Sequence, residues 1–252
     1  MQGDKYDTDV VTWSPEGKLH QVKYATEAEK QGSACVGVCN KNYTILGAVR
    51  RRPNEFAAYQ QKILDIDEHM GIAISGLTAD ARALASYMRS ECMEYEYVYG
   101  KKMPIERLVN QVADKKHFCT LTYERRPYGV GLLIAGLDKS GAHLFHTSPS
   151  GNYEQFSVQC IGARSQSAKT YFNKYYLDRE TGLGHIPEDE PVDTLITHVL
   201  NSLKGCMQGD EELSKSNCSI AIIGKDTPFK LLSEDEIDNY LQSIQNEANA
   251  MN

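Results

Sequence analysis

The chain opens on polar residues and reaches its first regular apolar spacing at Leu19, Val22, Ala25 and Ala28, with Gly32 following as a stop. That period predicts a helix over 18–31. Ahead of it, Ser14-Pro15-Glu16-Gly17 reads as a turn closing an extended arm, 1–17. From Ser33 the pattern changes to short runs rich in Val, Ile and small residues, at 33–38, 43–49 and 70–75, which predict strands. Asn40-Lys41-Asn42 makes the first two a hairpin. Two helices follow. One takes Thr78 as N-cap, aligns Leu77, Ala81, Leu84, Met88 and Cys92, and ends at Gly100. The other opens with Pro104, aligns Ile105, Leu108, Val109 and Val112, and sets Lys115-Lys116-His117 near its negative end.

A second strand block covers 129–137, 142–147 and 153–161, an antiparallel meander joined at Asp138-Lys139-Ser140-Gly141 and Pro149-Ser150-Gly151-Asn152. Helices return at 165–176 and 191–203, the latter aligning Leu195, Ile196, Val199 and Leu200 before Gly205. A strand at 218–223, a short one near 229–232 and a helix opened by the capping box Ser233-Glu234-Asp235-Glu236 complete the chain. Hairpins alternating with helix pairs predict an α+β fold, antiparallel sheets between helical layers, rather than a parallel sheet. One domain over 18–244 is expected, with a polar tail at 245–252.

Charge narrows the function. The 252 residues hold 27 Lys and Arg against 34 Asp and Glu, a net charge of −7. Nucleic-acid modules concentrate a basic excess, so nucleic acid is not an expected partner. No run nears the 18 apolar residues of a membrane span, and 1–30 carry six acidic residues with no apolar core, so neither membrane insertion nor secretion is expected. Seven cysteines without a C-x-x-C pair read as reduced core thiols. Cys35 and Cys39 share a strand face but lie too far apart for one metal.

Catalytic signatures are missing: no G-x-x-x-x-G-K-S/T, no G-x-G-x-x-G after a strand, no H-E-x-x-H and no G-x-S-x-G. His143 and His146 fall on opposite faces of a strand. No cofactor and no metal are expected.

Other residues are specific. Tyr6-Asp7 followed by Ser14-Pro15-Glu16-Gly17-Lys18-Leu19-His20-Gln21-Val22-Lys23-Tyr24-Ala25 closely resembles the N-terminal signature of alpha-type subunits of the 20S proteasome. The resemblance continues in order through Lys62-Ile63, Ser75-Gly76-Leu77-Thr78-Ala79-Asp80-Ala81-Arg82, Arg126-Pro127-Tyr128-Gly129-Val130 and Ile161-Gly162-Ala163-Arg164-Ser165-Gln166. Tyr59-Gln60-Gln61-Lys62-Ile63, Asp67-Glu68-His69-Met70-Gly71, the segment from Asp138 to Leu144 and Gly224-Lys225-Asp226-Thr227-Pro228-Phe229 are most similar to subunits of the sixth alpha position.

The resemblance implies a four-layer αββα sandwich and a non-catalytic scaffold in the cytoplasm and nucleus. Its implied partners are other alpha subunits in a seven-membered ring, beta subunits of the adjacent ring, C-terminal tails of regulatory particles or activators, and unfolded protein in transit. Tyr6, Asp7, Pro15 and Tyr24 match the family's gate cluster. Lys62 matches the lysine that pairs with an activator's tail carboxylate, and Gly76 the glycine that lets backbone approach that tail. Three positions depart from the family: Thr8 and Lys18 stand where Arg is common, and Lys23 where Glu is common.

An enzyme remains as the alternative. Active beta-type relatives expose an N-terminal threonine, and the comparable residue is Ser33, which would be freed by processing. Val49 stands where those relatives carry an aspartate. A third reading is a free-standing, monomeric ligand-binding domain. The run Arg50-Arg51-Arg52, ended by Pro53, is read as a solvated loop, with nuclear import as its sharper alternative.

Overall fold

The fold is described from a computed structural model, which describes residues 6–52, 54–178, 182, 184–209 and 211–250, with side chains of 247–250 left aside. Pro53, the first five residues of the expected arm, and 251–252 of the expected tail lie outside the described residues.

The elements run α1 (His20–Gln31), β1 (Cys35–Cys39), β2 (Tyr43–Val49), β3 (Ile63–Asp67), β4 (Met70–Gly76), α2 (Thr78–Tyr99), α3 (Ile105–Leu121), β5 (Val130–Asp138), β6 (Gly141–Thr147), β7 (Tyr153–Gln155), β8 (Val158–Ile161), α4 (Ser165–Tyr176), α5 (Val192–Lys204), β9 (Cys218–Gly224), β10 (Thr227–Leu231) and α6 (Glu234–Ala250). Two five-stranded sheets result, ordered β10-β9-β2-β1-β8 and β3-β4-β5-β6-β7, with every strand pairing antiparallel.

Alternation along the strands explains the layering. Val36 and Val38 of β1, Ile45 and Val49 of β2, and Ile220 and Ile222 of β9 face a core shared with α4, α5 and α6. Ile72 and Ile74 of β4 and Leu132 and Ile134 of β5 face a second core under α2 and α3. The intervening residues, Cys35, Cys39, Leu46, Ala48, Ala73, Leu133, Ala135 and Ala221, meet between the sheets. Both faces of the central strands are therefore apolar, so they read as continuous runs rather than alternating ones. All seven cysteines are buried and unpaired.

Three expectations need correction. The strand β3 carries two aspartates at a sheet edge, Asp65 exposed to solvent and Asp67 paired with the Lys102 ammonium, so its short alternation is masked by charge. The single strand expected over 153–161 is two, because the chain leaves one sheet after Gln155 and joins the other at Val158. The N-cap of α2 is Leu77, and Thr78 is instead the first helical residue, its hydroxyl accepting from Gln60 Nε2. The Asn40 turn is secured by its own side chain, whose Oδ1 accepts from Asn42 N and Tyr43 N. At the other end, Ser233 and Glu236 close a reciprocal capping box on α6.

Helix α1 stands outside this layering and packs across the ends of β4 and β5. Where it stops, backbone approaches backbone: a Cβ on Gly32 would lie 2.3 Å from Gly76 N. That end of the sandwich positions the candidate site.

Candidate functional site

Helix α1 is tied down by polar contacts. Its buried face is Ala25 and Glu29. The carboxylate of Glu29 meets His146 Nε2 on β6 at 2.9 Å, and its carbonyl accepts from Ser75 Oγ at the end of β4, at 2.8 Å. Glycine makes room, because a Cβ on Gly131 would strike Glu29 Oε1. Beside this seat lies Lys116, fully buried, whose ammonium donates to Val130 O, Thr147 O and Thr147 Oγ1 at 2.8–3.0 Å. Burial pushes Lys116 down to about 7, against the pull of the Glu29 carboxylate. The expectation that Lys115-Lys116-His117 serves the helix end is thus corrected for Lys116. Helix α3 runs on to Leu121, and Lys116 falls four residues after Val112 on its buried face.

Ser33 follows directly. It is 3% exposed, its hydroxyl is buried without a hydrogen-bond partner among the described residues, and α1 precedes it in the chain. Val49, the residue at the expected aspartate position, is a core residue whose N–H bonds Ala34 O. A nucleophile here would need a freed amine, an acid–base partner and access. The folded chain supplies a buried, internal hydroxyl with an apolar residue at the expected aspartate position.

The gate residues are spread along the arm. Asp7 is anchored through its carbonyl, which accepts from Gln21 Nε2 of α1 at 2.7 Å, while its Oδ1 is buried with no donor among the described residues. No hydrogen bond joins the Tyr6 phenol to the Asp7 carboxylate among the described residues. Pro15 lies exposed in a turn closed by Gly17 N to Ser14 O and by Lys18 N to Ser14 Oγ. Tyr24 is exposed on α1, with the His20 ring 6.2 Å away.

Lys62 and Gly76 occupy neighbouring strand ends. Lys62 leads into β3, and its carbonyl accepts from Ile74 N of β4. The side chain is buried, at 3% exposure, and its ammonium makes no hydrogen bond among the described residues. Burial pushes Lys62 below the ordinary lysine range; Cys35 works against that shift and Arg51 adds to it. Gly76 closes β4 at φ +116°, and a Cβ there would sit 2.3 Å from Gly129 O.

Two further clusters join residues whose pairing the sequence does not show. Asp80, at the start of α2, is gripped by Arg126 and also accepts from Gly129 N. His143 faces Asp138 and Ser140 through Nε2 and receives Gln155 Nε2 at Nδ1. Because Ser140 donates to Asp138, the trio fastens a turn and does not activate a nucleophile. The signal for the α1 seat was present: Glu29 and Lys116 each fall in register with a buried helix face, and a charge in an apolar stripe asks for a partner. Among the described residues no group of His, Cys, Asp or Glu is arranged to hold a metal ion, and no helix is long and apolar enough to cross a membrane.

Comparison with known proteins matches this chain to two family models. The one that describes proteasome subunits in general covers residues 29–223, and the one that describes the N-terminal signature of their A type covers 6–28. The alpha type-1 proteasome subunit of Dictyostelium discoideum is 46% identical over 248 residues, 98% of this chain and 97% of that protein. The probable alpha type-6 proteasome subunit of Schizosaccharomyces pombe is 41% identical over 97% of this chain and 87% of its own length. The alpha type-1 proteasome subunit of Drosophila melanogaster is 43% identical, over 92% and 82% respectively.

Proposed function

This chain belongs to the family of proteasome alpha-type subunits, and from that premise we propose that it is a non-catalytic ring subunit which assembles, gates and docks. In this reading it takes the sixth place of a seven-membered alpha ring, stands against a beta ring, and works in the cytoplasm and nucleus. The observation that carries the non-catalytic role is the seat of α1. Glu29, His146 and Ser75 hold that helix across the sheet ends, so the residue that would have to be an exposed N-terminus is an internal, buried Ser33.

Three features support the remaining roles. On the α2–α3 layer Met93, Tyr97, Phe118 and Leu121 are more than half exposed, Tyr97 at 91%. So much aromatic and aliphatic surface in one layer suits a permanent protein neighbour. Asp7 Oδ1 is buried without a donor among the described residues, which a neighbouring arm would supply. Lys62 is a buried cation without a counter-charge among the described residues, so an entering peptide carboxylate would complete the pair and offset its desolvation.

Native mass spectrometry of the chain purified from its own cells, with denatured masses recorded alongside, tests the assignment. The expected result is a particle of roughly 700 kDa containing many distinct subunits, with this chain intact through its arm. A lone chain, or one beginning at Ser33, would refute it. Cross-links to both neighbours in that particle check the ring position.

A further inference from the structure

Arg51 and Arg52 lie exposed in a loop, as the sequence suggests, but Arg50 is held in the fold. Arg50 lies at the end of β2, and its guanidinium donates to Ser216 O at 2.7 Å and reaches Glu234 at 3.3 Å. Its Nε is buried with no acceptor among the described residues. The Tyr59 ring is flanked by two guanidinium groups, Arg50 at 5.6 Å and Arg52 at 5.2 Å from its centroid. Among the described residues neither Arg51 nor Arg52 reaches a carboxylate. These four residues line a pocket of about 320 Å³, completed by Gln208, Asn217, Glu211 and Glu212.

Along the chain, Tyr59 of this pocket stands three residues before Lys62. Gln60 N donates to Arg51 O at 2.9 Å, and Lys62 is two residues further along the same strand approach. Arg51's charge is felt at the Lys62 ammonium, where it adds to the downward push on that group.

We infer that the pocket of Arg50, Arg51, Arg52 and Tyr59 is an acidic-residue subsite: it receives the carboxylate side chain of a peptide whose C-terminal carboxylate sits at Lys62. This rests on the reading of Lys62 as the receiver of a peptide tail. Guanidinium pairs carboxylate in two-pronged geometry, and among the described residues the Arg50 Nε–H has no acceptor. Glu211 and Glu212 choose the form of the ligand. They disfavour a free multivalent anion in the same lining, and they offer acceptors to the backbone N–H groups of an extended peptide. The site thus reads a second residue of the tail and would discriminate among tails that share a free C-terminus.

The test uses assembled particles and synthetic decapeptides carrying a photo-crosslinker. Each has a free or amidated C-terminus, with Glu or Gln placed at each of the second to sixth positions from the end. Yield on this chain is read by mass spectrometry of its peptides. The inference expects one Glu register to label residues 50–59 with affinity about tenfold above its Gln counterpart, roughly 1.4 kcal/mol. In Arg51→Glu/Arg52→Glu particles, whose altered side chains are exposed, that preference disappears, and a Lys in the same register restores binding.

Equal binding of Glu and Gln peptides in every register overturns the subsite while leaving Lys62 intact, provided amidation and Lys62→Ala both abolish labelling. If amidated and free tails bind alike, the Lys62 reading fails. An Arg-dependent preference for Glu persisting under those conditions would show an acidic-peptide pocket independent of the tail, and so overturn the coupling stated here.

Discussion

Arg126 grips Asp80 with both arms of its guanidinium, Nη1 to Oδ2 and Nη2 to Oδ1, each at 2.7 Å, although the two residues lie 46 positions apart. Asp80 is buried at the start of α2, while Arg126 is largely exposed. The pair therefore pins the first turn of α2 to the loop that leads into β5, and Gly129 N completes the carboxylate's bonding at 2.9 Å. The arrangement links two of the segments on which the family resemblance rests.

Asp80→Asn is expected to destabilise the chain by about 2 kcal/mol, the usual scale for a charge-assisted bond at a buried carboxylate. The hydrogen bonds from Arg126 hold the Asp80 carboxyl below its ordinary range. A carboxyl depressed in the folded state adds stability that is present above its unfolded value, about 3.9, and is lost as pH falls through the folded one. The gap between wild type and variant, measured by urea denaturation, should close below about pH 4.

Lys116→Met separates burial from bonding. The folded chain holds this lysine at about 7, against about 10.4 unfolded, so between those values the unfolded chain binds the extra proton. Stability contributed by this site must then rise with pH across that window. Denaturation of wild type and variant at pH 7 and pH 9 should show the wild type gaining on the variant at the higher pH. A constant difference would show that Lys116 stays charged throughout.

Gly76→Ala should cost at least about 2 kcal/mol, because the added Cβ meets both a positive φ and the Gly129 carbonyl. Gly100→Ala shares the positive φ but opens into free space, and about 1 kcal/mol is expected. Thermal unfolding of the two variants side by side isolates the steric part.

Ser33→Ala is expected to leave peptide hydrolysis by the particle unchanged. Removing a buried hydroxyl that lacks a partner among the described residues should also stabilise the chain by up to about 1 kcal/mol. Loss of hydrolytic activity, with assembly intact on native gels, would return Ser33 to the role of nucleophile.

Much of this was legible along the chain. The stripes Ala81-Leu84-Met88-Cys92 and Ile105-Leu108-Val109-Val112 announced α2 and α3, and the Ser233 capping box marked α6 within one residue of its start. Sheet membership was less so. The run 153–161 carries no local sign of where it changes sheet, since both partners ask for the same extended backbone. β3 was hidden because an edge strand admits aspartates that an interior strand would exclude.

Local periodicity and the ordered family segments thus determined the helices, most of the strands and the family, because spacing sets which face each element can bury. Only the folded chain decided what the charged residues do. Glu29 meets His146 across 117 positions, Lys116 bonds β5 and β6 from inside the core, and Lys62 is buried without a counter-charge among the described residues. A charge in a low-dielectric interior depends on which partners tertiary packing delivers, and no window of sequence contains them.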